Sequence, residues 1–352
     1  MVDRRVGNKM KMLHIFFESN VKKAALGLLI IMIILFAVSC AQEASIDDEG
    51  EVQIQPENNR PGYYGYINKN SDMVIDPQYA EANEFSEGLA LVTLGGGWGY
   101  IDHNGEEHVG SGFKDADSFS EGLAAVITME ESLWGYMDKK GDYVIEPKFG
   151  RAQYFSEGLA RIWLAGTPEA SQGFIDKTGE YVVPPELEGS EYCGKYGNFY
   201  NGRALIAKKT YLEDRFMIEY GFIDSEGTVV IEPQYYCANR FSEGLAAVEK
   251  DGRWGYIDVE GSMVIDLKYD DAGDFSEGMA PVKIEGKWGY IDSGGNILIE
   301  PQYDDAGIFS EGLAAIEVDG AWGYIDKKGG IIIEPQYAEA GYFSEGLAPV
   351  CY

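Results

Sequence analysis

Two carboxylate series recur at fixed places along this chain, and they are the residues with the plainest chemical capacity. Asp102, Asp138, Asp176, Asp224, Asp258, Asp292 and Asp326 each close a short apolar string and are followed three residues later by Gly. Glu87, Glu121, Glu157, Glu243, Glu277, Glu311 and Glu345 each stand third in Phe-Ser-Glu-Gly. Carboxylates in sets can bind calcium or move protons, but acid–base catalysis needs one asymmetric constellation whose groups are driven to different pKa values. Identical copies lack that asymmetry. An Asp at a turn bonds backbone N–H groups two residues on, and Gly supplies positive φ, so turn formation is the expected role of the Asp series. The spacings of calcium-binding β-rolls and of the EF-hand loop are both absent. The Glu series could make an acidic rim around one face, but identical copies are read as a turn or cap.

Other reactive groups are sparse. Of three histidines, His14 lies near the amino terminus, while His103 and His108 flank Glu106 and Glu107 on a hairpin turn. No further clustered ligand accompanies them, so no metal site is expected. No Gly-rich phosphate loop, Ser-His-Asp pattern or Cys-x-x-Cys occurs, and neither a cofactor nor a catalytic residue is expected. Beyond Cys40 the thiols are Cys193, Cys237 and Cys351. Cys193 and Cys237 precede the equivalent Phe199 and Phe241 by six and four residues, so adjacent units can bring them together as a disulfide or leave them as small buried thiols.

The formal charge is −31, from 28 basic and 59 acidic side chains; residues 1–39 hold six and two of these, leaving 22 against 57. Nucleic acid is a poor partner for such a surface, because neutralising phosphates requires clustered Lys and Arg. The charge suits solubility and self-repulsion, and secondarily the recruitment of basic proteins or divalent cations.

Lys22 and Lys23 precede an apolar run from Ala24 to Val38, then Ser39 and Cys40. At 15 residues the run is short for a bilayer span, and the layout is that of a signal peptide over residues 1–39. Ala37-Val38-Ser39-Cys40 resembles the lipobox of bacterial lipoproteins, with Ala37 where Leu is usual. That resemblance implies lipidation of Cys40 and an exported, membrane-anchored location. Met1, Met10 and Met12 are alternative starts. Residues 40–61 are polar and acidic and read as a flexible linker.

Spacing is the strongest signal in the remainder. An aromatic-Gly-aromatic-apolar-Asp string begins at Tyr64, Trp98, Trp134, Gln172, Tyr220, Trp254, Trp288 and Trp322, in steps of 34, 36, 38, 48, 34, 34 and 34 residues. Only Gln172 lacks the ring. The Phe-Ser-Glu-Gly anchor alternates with it, with a degenerate copy at Phe199-Tyr200-Asn201-Gly202. Within one unit, Leu245–Glu249, Trp254–Asp258 and Met263–Asp266 read as strands, joined by Asp251-Gly252 and Glu260-Gly261 turns. The expected product is a three-stranded meander of about 34 residues, with a possible fourth short strand in the crossing segment. Pro in the place of Leu267, as at Pro301, is expected to stop the third strand. Glycine after each Trp marks a close approach by a neighbouring group.

Trp-Gly-Tyr-Ile-Asp, Val-Ile-Glu-Pro-Gln-Tyr and Phe-Ser-Glu-Gly-Leu-Ala together resemble the WG repeat family over residues 62–352, with an irregular unit at about 172–219. The resemblance implies a β-rich binding or scaffolding repeat and brings no catalytic residues. The array opens with the second strand of a unit and ends with a first strand, so a propeller-like closed ring is favoured over an open β-hairpin solenoid. Trp98, Trp134, Trp254, Trp288 and Trp322 are read as packing residues before ligand-binding ones. The expected function is a non-catalytic, surface-tethered module for an unknown macromolecule, a protein before a cell-wall glycan. An enzyme with a site in the irregular unit ranks third.

Overall fold

The computed structural model describes residues 44–46, 52–54, 62–130, 132–166, 172–185, 197–211 and 216–352. The signal segment 1–39, the start codon candidates, Cys40 and Cys193 lie outside the described residues. Two compact units are present, Met1–Asn59 and Arg60–Tyr352. In the first, within the segment read as a flexible linker, Ala44–Ile46 pairs antiparallel with Val52–Ile54.

Arg60–Tyr352 is all-β among the described residues. Its units are numbered by the aromatic-Gly strings, from one at Tyr64 to eight at Trp322. Unit six shows the pattern: Cys237–Ala238, Leu245–Lys250, Arg253–Asp258 and Met263–Tyr269 form an antiparallel four-stranded meander in that order. Units seven and eight repeat it, so the possible fourth strand is real and only two residues long in units six and seven. In the first half, Glu107–Ala116 and Tyr143–Ala152 run unbroken from one unit into the next, and Ala82 to Val183 therefore forms a ten-stranded sheet. Unit one is assembled from both ends of the chain: Glu339–Ala340, Leu347–Cys351, Tyr64–Asn68 and Met73–Tyr79 lie side by side.

Proline does not stop the outer strand. Met263–Tyr269 and its equivalents run through the Pro position, as at Pro301 in Ile297–Tyr303. The strand absorbs it by a bulge: Tyr290 faces Ile299, yet Trp288 faces Tyr303, and the same bulge is present in unit six, where Leu267 stands at the Pro position. Met73–Tyr79, Val229–Tyr235, Ile297–Tyr303 and Ile331–Tyr337 lie at a sheet edge, where a missing N–H breaks no ladder bond. Pro147 of the interior strand Tyr143–Ala152 falls within the bulge between the Tyr136–Ile145 and Trp134–Phe149 pairs. The bulge also explains the glycine after each Trp. A Cβ on Gly255 would lie 2.5 Å from the Ile265 carbonyl oxygen, so the group that approaches is backbone.

The core lies between consecutive sheets. Tyr256, Ile265 and Tyr269 of unit six pack with Phe275, Ala280 and Ile291 of unit seven, and Leu313, Tyr324 and Tyr337 of unit eight pack with Ile67 and Ala348 of unit one. Tyr256 donates its hydroxyl to the Gly273 carbonyl at 2.9 Å, one unit on, and the same bond recurs from Tyr66, Tyr100, Tyr136, Tyr290 and Tyr324. The irregular unit four moves its ring across a strand. Gln172, at the Trp position, faces Trp163 on the neighbouring strand, and the buried Arg161 donates to Gln172 Oε1 while stacking on Trp163.

Candidate functional site

Each Phe-Ser-Glu-Gly turn places its Glu in the left-handed backbone region, with φ between 52° and 56°. Non-glycine residues reach this region at a cost of roughly 1 kcal/mol, so the side chain must be used. Glu87 accepts the Gly122 N–H at 3.1 Å, Glu121 that of Gly158, Glu157 that of Gly202, Glu243 that of Gly278, Glu277 that of Gly312 and Glu311 that of Gly346. Asn201 substitutes in unit five and takes the Gly244 N–H at 2.8 Å. Glu345 takes the Gly88 N–H at 3.0 Å, so the series of bonds returns to its start. Serine adds a second link: Ser86 donates to the Phe119 carbonyl at 2.7 Å and Ser344 to that of Phe85 at 2.6 Å.

The residue after each turn Asp decides the charge on this rim. Lys139 Nζ reaches both the backbone oxygen of Glu87, at 2.6 Å, and its carboxylate, at 3.0 Å. Lys69, Lys177 and Lys327 repeat the contact on Glu311, Glu121 and Glu277, and His103 Nε2 stands 3.1 Å from Glu345. Units five, six and seven have Ser225, Val259 and Ser293 there. Burial pushes the Glu277 carboxyl up, but Lys327 and the Gly312 N–H outweigh it and hold the group below its ordinary value. The Asp series caps its own turns: Asp258 Oδ1 accepts the N–H groups of Glu260 and Ser262 at 3.1 and 2.8 Å.

Against this regularity, the residue before each Phe varies widely, with only Tyr occurring twice: Glu84, Ser118, Tyr154, Asn198, Arg240, Asp274, Ile308 and Tyr342. From unit four to unit seven these residues form one network. Asn198 donates to the Tyr154 carbonyl at 3.1 Å, the Tyr154 and Tyr200 hydroxyls meet at 2.6 Å, and Arg240 lies 4.6 Å over the Tyr200 ring while bonding Asp274 at 2.9 Å. Arg240 and Asp274 neutralise each other, and burial, then Tyr200, push the Tyr154 phenol further above its usual range. Asp117, one unit before, is the group drawn toward neutrality: burial, then Asp115, push its carboxyl up to about 7. Sequence reasoning overlooked this network because its members share no repeat position with a chemical signature; the one visible sign was their variability.

Trp134 is buried, whereas Trp98, Trp254, Trp288 and Trp322 are half-buried against their unit cores. His103 stacks on Phe85 at 4.3 Å, and among the described residues no group of three His, Cys, Asp or Glu is placed to hold a metal. A family model described as "WG containing repeat" matches residues 64–98, 98–127, 134–162, 173–209, 220–254, 254–288, 288–320 and 322–352. The chain belongs to this family. No curated protein matches the WG repeat chain in sequence. Among solved structures it is similar to one titled as the eukaryotic initiation factor, at 12% identity and a TM-score of 0.51, covering 80% of this chain and 86% of that one. Apo AztD from Citrobacter koseri is a more distant likeness, at 13% identity, a TM-score of 0.44 and coverage of 82% and 96%. These likenesses concern the fold alone, a β-propeller-like repeat.

Proposed function

We propose that this WG repeat chain is a non-catalytic binding module, carried outside the cytoplasm on a lipid at Cys40, with its eight units closed into a ring. Two relations support closure: unit one is completed from both chain ends, and the side-chain bond to the next unit's turn Gly passes from Glu345 to Gly88 as it does at the other steps, with Asn201 in place of Glu at one of them. Closure covers the apolar sheet faces that the two end units of an open array would leave exposed.

The observation that carries a protein partner is the exposure of aliphatic pairs at the start of successive outer strands. Met263 and Val264, Ile297 and Leu298, and Ile331 and Ile332 are between 41% and 50% exposed, and Val229 with Val230 continues the series. Each pair directly follows an Asp-capped turn, so aliphatic contacts and acidic groups alternate around the array. Such surfaces fit proteins with apolar and basic side chains better than sugars, which prefer ring faces. Crosslinking on intact cells with the full chain tests this. Changing Leu298 and Ile332 to Glu together should abolish the protein adduct while thermal unfolding stays unchanged. An undiminished adduct, or retention on purified cell wall in its place, would sink the protein reading.

A further inference from the structure

A cleft of about 480 Å³ lies between units one and two, lined by Tyr63, Gln78, Thr93, Trp98 and Lys114 beside the turn Gly95-Gly96-Gly97. Units six and seven carry an ion pair at this place that unit two lacks. Arg253, just before Trp254, pairs with Asp270, and Lys287, just before Trp288, pairs with Asp304. Each ion pair ties the Trp strand to the chain leaving the outer strand. Unit two has Gly97 and Lys114 at those two places, so the pair cannot form and the acid has become a base. Its turn has also lost the acidic residue that stands at Asp251, Glu285 and Asp319 elsewhere. The half-buried Trp98 is left beside an open space that the exposed Tyr63 of unit one borders from the other side.

We propose that this cleft binds a carboxylated saccharide. Tyr63 and Trp98 offer ring surface to the C–H face of a pyranose. Lys114 offers an ammonium to the carboxylate, and the exposed Gln78 amide offers a donor and an acceptor to hydroxyls. Thr93 frames the wall, since its hydroxyl already accepts the Glu81 N–H at 3.0 Å. The nearest acid on the same strand, Asp115, is turned back onto the Ala116 N–H at 2.9 Å. The acidity of the whole chain does not forbid an anionic ligand, because at physiological salt charges beyond about 8 Å are largely screened and the nearest charge decides. This site does not depend on the protein-binding reading.

Titration of the full chain with glucuronic acid and with glucose, followed by calorimetry, tests it. Glucuronic acid should bind about tenfold or more tightly than glucose, and Lys114→Ala should bring the two to the same level. Tyr63→Ala should weaken both sugars. Both side chains are exposed, so unchanged thermal unfolding separates loss of binding from loss of fold. The proposal is overturned if the two sugars bind alike, if Lys114→Ala leaves glucuronic acid unaffected, or if neither sugar binds.

Discussion

Glu345 accepts the backbone N–H of Gly88 at 3.0 Å across 257 residues of chain. The same bond joins Glu311 to Gly346, 35 residues on, so one local geometry serves both the ordinary step and the junction of the chain ends. The carboxylate is reached only because its backbone is held at positive φ.

Glu277 separates the backbone cost from the side-chain benefit. Glu277→Ala keeps the unfavourable φ and loses the bonds to Gly312 and Lys327, and should destabilise by about 1 kcal/mol. Glu277→Gly loses the same bonds but relieves roughly 1 kcal/mol of left-handed backbone cost, and should be near neutral. Urea unfolding of the two variants decides; equal losses would mean that φ is not what the bond offsets.

Two glycines give a paired test of close backbone approach. Gly255→Ala puts a Cβ 2.5 Å from the Ile265 oxygen and should destabilise by about 2–3 kcal/mol. Gly307→Ala meets nothing closer than 3.6 Å and should stay within about 0.5 kcal/mol of the parent. Similar losses at both sites in thermal unfolding would refute the bulge explanation.

Asp117 predicts a pH dependence with a definite sign. Its carboxyl rises from 3.8 to about 7, so between these values the folded chain holds a proton that the unfolded chain releases. Stability from this group is full at and below pH 3.8 and declines as pH rises through about 7. Asp117→Asn should therefore gain on the parent as pH goes from 4 to 8, read as a growing difference in urea midpoint. A constant difference would place the group in ordinary solvent.

The proposed lipid anchor has a direct readout. Mass spectrometry of the amino-terminal peptide from membrane-extracted protein should show diacylglycerol on Cys40, and Cys40→Ala should release the chain from membranes. An intact, unmodified leader would make residues 24–38 an anchor in their own right.

Much of this molecule is legible along the chain because its units are built by local chemistry. The Asp-x-x-Gly turns, the Asp-Gly hairpins and the alternation in Trp-Gly-Tyr-Ile-Asp act over a few residues, so their spacing alone determined eight all-β units and their strand order. What acts between units was hidden. The outer strand runs through Pro because the residue falls in a bulge of the strand pairing, a fact of register between strands. Trp163 takes over from Gln172 across a strand pair, and Tyr154, Asn198, Tyr200, Arg240 and Asp274 meet from four different units. The partner of each turn glutamate, the network before each Phe and the cleft at Trp98 were decided by tertiary structure, because their energies come from groups at least one repeat apart.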